Sequence, residues 1–131
     1  MPAAPEPSAT PPAGRGRRRV VCAVSEIPPG QRRILEVDGR SIGIFNVDGR
    51  FYALRNRCPH RGGALCEGPV CGTVLPTDDR SYAYGREGEI IRCAWHGWEF
   101  DIATGRALVD PAVRARTYPV AVENGSVVIA L

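Results

Sequence analysis

The sequence predicts an all-β domain of roughly eight to ten short strands with little helix. Three observations carry this. Short apolar, β-branched runs recur along the chain, as in Val20-Val21-Cys22-Ala23-Val24 and Val127-Val128-Ile129. Asp-Gly and Asn-Gly pairs punctuate them. No segment sustains the 3.6-residue apolar period of an amphipathic helix.

Each element follows in turn. Residues 20–24 read as a first strand, broken by Pro28-Pro29-Gly30. Residues 33–37, 41–47 and 50–54 are strand-like and are separated by Asp38-Gly39 and Asp48-Gly49. Both pairs predict tight hairpins, because glycine tolerates the positive φ that a type I′ turn requires. Residues 71–91 read as an extended hairpin with Tyr82 to Ile91 on the returning side. Val120-Ala121-Val122, Glu123-Asn124-Gly125 and residues 127–131 predict a last hairpin. Residues 1–19 are rich in Pro, Ala and Gly, hold no periodic apolar pattern, and are expected to be disordered. The folded domain is expected over residues 20–131.

Composition narrows the function classes. The 131 residues suggest one domain, long enough for a core without disulfides. The five cysteines are an odd number and do not read as a secreted disulfide framework. Cys66 and Cys71 could pair, but free thiols are expected in a reducing compartment, and Cys22 reads as a small core residue. All seventeen basic residues are Arg. Four of them and one Glu lie in residues 1–19, while residues 20–131 hold thirteen Arg against thirteen acids. The domain is therefore neutral, and a globular nucleic-acid-binding face is not supported. The basic end reads as solvated, with steering of an acidic partner as the alternative. No apolar run approaches the roughly 20 residues of a membrane helix. Arg17-Arg18-Arg19 resembles an export signal, but the apolar run after it is shorter than a signal peptide needs. A soluble, cytoplasmic protein is expected.

The chemistry sits in two short motifs. Cys58-Pro59-His60 and Cys93-Ala94-Trp95-His96 place each of the two histidines in the chain beside a cysteine. Two thiolates and two imidazoles match a [2Fe–2S] centre whose irons take two Cys and two His. The competing reading is a structural zinc site, which also uses four Cys and His ligands. Zinc fingers usually pair like ligands within a motif, whereas each motif here pairs unlike ones. One ligand per iron from each loop is the arrangement such pairing suits. The candidate cofactor ligands are Cys58, His60, Cys93 and His96.

The wording around these ligands, Cys58-Pro59-His60-Arg61-Gly62-Gly63-Ala64 and Cys93-Ala94-Trp95-His96-Gly97-Trp98-Glu99-Phe100-Asp101, resembles the Rieske domains of bacterial ferredoxins and ring-hydroxylating oxygenases. The resemblance spans about residues 20–131. It implies stacked antiparallel sheets, with a cluster-binding subdomain of about residues 58–101 inserted between strands of a base. It also implies that Cys58 and Cys93 hold a buried iron, while His60 and His96 hold an outer iron through which the electron leaves. Gly62, Gly63 and Gly97 are expected to turn the loops and direct N–H groups at sulfide. Trp95 and Trp98 read either as a docking rim around His96 or as loop packing. High-potential relatives carry Ser and Tyr where this chain has Trp98 and Phe100, and a disulfide that it lacks, so a potential near the low end of the Rieske range is expected. The thirty-two residues between His60 and Cys93 are about twice the common spacing. The extra segment reads as a partner-selecting element or as a tolerated surface insertion.

Both histidines are committed to the cluster, so none remains for the mononuclear iron site of an oxygenase. No G-x-G-x-x-G fingerprint is present to take electrons from a nicotinamide. The chain is therefore not expected to be an enzyme alone. Three functions follow. The first is a soluble ferredoxin passing one electron from a flavin-containing NAD(P)H reductase to a terminal oxygenase. The second is a small non-catalytic subunit of a larger reductase, resembling that of assimilatory nitrite reductase. The third is a structural zinc module.

Overall fold

The computed structural model describes residues 18–59, 62–76, 82–93 and 97–131. Their ten strands, in chain order, are β1 (Arg18–Ala23), β2 (Arg32–Val37), β3 (Arg40–Val47), β4 (Arg50–Arg55), β5 (Val70–Pro76), β6 (Tyr82–Arg92), β7 (Glu99–Asp101), β8 (Thr117–Tyr118), β9 (Val120–Glu123) and β10 (Ser126–Ala130). Two single 3-10 turns, Val24–Glu26 and Leu65–Glu67, are the helical elements among these residues. The all-β expectation holds, and the predicted hairpins form. Asp38 and Gly39, Asp48 and Gly49, and Asn124 and Gly125 all take positive φ, the signature of type I′ turns.

One strand starts earlier than the composition suggested. β1 begins at Arg18, not at residue 20, because Arg18 pairs with Ala130 of β10 and its guanidinium meets Glu123. Arg19 reaches Asp38 at 3.2 Å. These partners lie across the chain, so local composition could not reveal them. The expectation for residues 1–17 lies outside the described residues.

Three antiparallel sheets result: β1-β10-β9, β2-β3-β4-β8 and β5-β6-β7. The second is the middle layer. Ile42, Ile44, Phe51 and Ala53 face a core shared with Cys22, Val120, Val127 and Ile129 of the first sheet. Phe45 and Leu54, on the opposite side, pack with Ile91 and Phe100 of the third sheet. Alternating residues of β3 thus enter different cores, so the strand is buried almost throughout and does not read as apolar-in, polar-out. The third sheet lies in sequence between β4 and β8, which pair with each other. The core on this side of the middle sheet is where the cysteine motifs meet.

The long segment between the motifs is the predicted hairpin. β5 and β6 pair from Pro76↔Tyr82 to Val70↔Ile91. The register breaks where residues 86–89 bulge between Gly85 and Ile90, with Arg86 and Gly88 at positive φ. Arg86 ties the bulge down through Glu89 at 3.1 Å and Asp101 at 2.7 Å.

Candidate metal centre

Cys58 and Cys93 open two turns with the same backbone pattern. The Cys58 N–H donates to Gly63 O at 2.7 Å, and the Gly62 N–H donates back to Cys58 O at 2.6 Å. In the second turn, the Cys93 N–H donates to Trp98 O at 2.8 Å and the Gly97 N–H to Cys93 O at 2.9 Å. Each turn closes through a glycine four residues after the cysteine, Gly62 at φ 76° and Gly97 at φ 72°. An L-residue reaches that conformation only at a cost, so glycine is favoured at both places. The expected turning role of Gly62 and Gly97 is what the backbone shows, and their own N–H groups close the turns onto the cysteine carbonyls.

Both thiols are buried at 1 % exposure in one apolar cluster with Leu65, Cys66, Ile91 and Phe100. Two thiols brought together in a core that charge cannot enter alone fit a soft metal centre, because a thiolate there needs a cation beside it. The two thiols therefore suit an iron–sulfur cluster. His60 and His96, the other two predicted ligands, lie outside the described residues, as does Trp95. Trp98 is half-buried against the same core, and its ring lies 6.4 Å from that of Phe100 at a 31° tilt. Packing, the plainer of the two readings of Trp98, is what its surroundings show.

Further residues brace the site. Asn56 accepts the Cys66 N–H at 2.7 Å and donates to Ser41 Oγ at 3.1 Å and Glu67 Oε2 at 3.3 Å. It pins the 3-10 turn after the first loop onto β3. Sequence reading missed Asn56, and nothing in its local pattern marks it, since its partners come from two other segments, β3 and the 3-10 turn. Cys66 is fully buried and donates to Leu54 O at 3.4 Å. Its Sγ would lie 2.6 Å from a Cβ on Gly43, so β3 must carry glycine where Cys66 packs. Cys66 and Cys71 are both free thiols, as expected, and Cys22 is a core residue. Burial pushes the Cys66 thiol up to about 12. At pH 8 its thiolate fraction is then roughly one part in ten thousand, and alkylation needs thiolate and access together. Iodoacetamide applied to native protein at pH 8 should therefore modify the half-buried Cys71 and spare Cys66 until urea is added. Peptide mapping by mass spectrometry reads this, and rapid native labelling of Cys66 would refute its place in the core.

Comparison with known proteins agrees with this geometry. The family model for the Rieske [2Fe-2S] domain matches residues 17–120. The ferredoxin component of the naphthalene 1,2-dioxygenase system of Pseudomonas aeruginosa is 34 % identical over 110 residues, covering 83 % of this chain and 90 % of that protein. The 3-phenylpropionate/cinnamic acid dioxygenase ferredoxin subunit of Escherichia coli K12 is 34 % identical over 116 residues, covering 87 % and 93 %. Among solved structures, a chain in the complex of reduced oxygenase and oxidized ferredoxin of carbazole 1,9a-dioxygenase superposes with a TM-score of 0.68 at 28 % identity, covering 86 % and 92 %. The ferredoxin of carbazole 1,9a-dioxygenase from Nocardioides aromaticivorans IC177, at 22 % identity and a TM-score of 0.65, shares the fold. The relatives are ferredoxin electron-transfer components of dioxygenase systems, not catalytic alone. The chain belongs to the Rieske [2Fe-2S] domain family, as an electron carrier whose cofactor is a Rieske-type [2Fe–2S] cluster.

Proposed function

We propose that this protein carries single electrons from a flavin-containing NAD(P)H reductase to a terminal oxygenase of the ring-hydroxylating type, in the cytoplasm. The observation that carries the reading is the pair of matched turns that bury Cys58 and Cys93 in one core. The proposed ligands are Cys58 and Cys93 to the inner iron, and His60 and His96 to the outer. The proposed organisation is a tail ahead of β1 and a Rieske domain from Arg18 to residue 131, two residues longer than the sequence suggested, with the cluster-binding part at about residues 58–101. When bound, the cluster supplies a reversible one-electron couple. The protein's own contribution is to shield the thiolates, fix the two turns and leave the histidine edge as the exit. The relatives named above are dioxygenase ferredoxins, which supports this reading over a reductase subunit or a zinc module. No helix among the described residues is long and apolar enough to cross a membrane, which agrees with the proposed location.

Absorption and low-temperature EPR before and after dithionite, with iron and zinc assayed, test the reading. Two irons per chain and a reduced-state signal with average g below the free-electron value are expected. A colourless, zinc-bearing protein would overturn it.

The potential follows from what surrounds the second turn. Hydroxyls that donate to cluster sulfur raise a Rieske potential, and the positions at issue hold the indole of Trp98 and the fully buried ring of Phe100. A potentiometric titration should give about −150 mV, the low end of the Rieske range. A value well above zero would show that other donors reach the cluster.

A further inference from the structure

We propose that Arg55, Arg57, Arg114 and Arg116 form a docking groove for clustered carboxylates on the surface of the redox partner. The inference rests on the electron-carrier reading and adds the chemistry of the surface that is recognised.

The four arginines, with Pro59 and Ala115, line one open groove of about 340 Å³. Their convergence comes from two Arg-x-Arg repeats, Arg55-Asn56-Arg57 and Arg114-Ala115-Arg116. β4 and β8 pair through Ala53↔Tyr118 and Leu54↔Thr117. The Arg55 N–H then donates to Arg116 O at 2.9 Å and extends the ladder by one step. Arg55 and Arg116 therefore stand opposite each other, and Arg57 and Arg114, just beyond the two strands, line the same groove. Like charges set directly opposite each other on adjacent strands destabilise a sheet. Among the described residues, no carboxylate forms an ion pair with any of the four. Elsewhere the chain does pair its arginines: Arg18, Arg19, Arg33, Arg86 and Arg92 each meet an Asp or Glu. Four of the thirteen arginines of residues 20–131 thus converge on one groove with no carboxylate paired to them among the described residues.

The position of the groove gives the unpaired charge a use. Pro59 separates Cys58 from His60, so the groove wall is part of the first cysteine loop. The Arg57 guanidinium lies over the same loop, 3.7 Å from where a Cβ on Gly62 would sit. An occupant of the groove is thereby held against the loop that carries a proposed ligand of the outer iron. Guanidinium forks take carboxylates two-pronged. Two of the four are also held in place: Arg116 stacks 5.5 Å from the Tyr118 ring centroid, and Arg114 donates to Thr104 O at 3.4 Å. Fixed cations at the point of electron exit favour fast, salt-sensitive encounter with an acidic face.

The test uses dithionite-reduced holoprotein in stopped flow, oxidised by anionic ferricyanide or by neutral benzoquinone. Hexaglutamate and inorganic phosphate serve as competitors at matched ionic strength. The expected result is a ferricyanide rate that falls with salt and is suppressed more by hexaglutamate than by phosphate. The ratio of ferricyanide to benzoquinone rates should drop about tenfold in R55Q/R114Q/R116Q, within the range of electrostatic steering. Arg114→Glu provides the same ratio in a single, exposed position should the triple variant not fold. An unchanged ratio in these variants overturns the proposal. Equal competition by phosphate also overturns it, by making the groove a small-anion site. A protein that neither oxidant can reoxidise would instead remove the carrier reading beneath it.

Discussion

Replacing Cys93 with serine should strip the protein of both irons and of its reduced-state EPR signal. The content should fall from about two irons per chain to near zero. The reason is donor chemistry in a fixed cage. Serine offers a harder oxygen on a shorter bond, and iron–sulfur clusters select soft thiolate. The cage cannot adapt, because Cys93 is locked at both backbone ends by the Trp98 and Gly97 hydrogen bonds. Cys58→Ser should do the same, since its turn is built on the same pattern. Cys22→Ala and Cys66→Ala are the controls. They remove buried thiols from the two cores without touching either motif, so they should retain iron while losing some stability. Iron assay and EPR on the four variants decide the ligand assignment. Two irons and an unaltered signal in Cys93→Ser would sink it, and loss of iron in Cys66→Ala would point to a different donor set.

The two cysteine turns were legible in the sequence because their information is local: a cysteine and, four residues on, the glycine that closes its turn. The three Asp-Gly and Asn-Gly hairpins were legible for the same reason, since a two-residue turn needs positive φ and little else. β8 was not, because Thr117–Tyr118 is too short to show alternation and exists through pairing with Ala53 and Leu54. The arginine groove was invisible for a related reason. The sum of charges over residues 20–131 is zero, and only the β4–β8 ladder brings two distant Arg-x-Arg repeats to one side. The turning role of Gly62 and Gly97 was legible too, but not which carbonyl each N–H would meet, because that partner is set by the folded loop. What lies in one turn can be read from residues in order. What lies between segments requires the fold.

Gly68→Ala should be among the most damaging single methyl additions at the described glycines. Gly68 follows the 3-10 turn at an ordinary φ of −74°, so its own backbone does not demand glycine. The demand comes from across the core: a Cβ there would sit 1.8 Å from the carbonyl oxygen of Arg92. That oxygen cannot move aside cheaply. The Arg92 N–H is bound to Pro69 O at 2.9 Å, and the next residue begins the second cysteine turn. The Gly68 carbonyl accepts from the Arg32 guanidinium, and its N–H donates to Leu65 O at 3.1 Å, so the turn is held from its own side as well. Relief requires the segment carrying Leu65 and Cys66 to separate from the strand leading to Cys93. Overpacking of this kind costs about 3 kcal/mol or more, a large share of the stability of one domain. The melting temperature should fall by roughly 10 °C or more, and cluster occupancy should fall with it as the two cysteine turns lose their mutual register. Gly88→Ala separates steric from conformational cost. Its site on the β6 bulge has nothing within 4 Å but a φ of +83°, so it should lose only about 1–2 kcal/mol and keep its iron. Circular dichroism melts and iron assay on both variants read the difference. A Gly68→Ala protein that melts with the wild type would mean that the contact between Gly68 and Arg92 does not hold the two cysteine turns together.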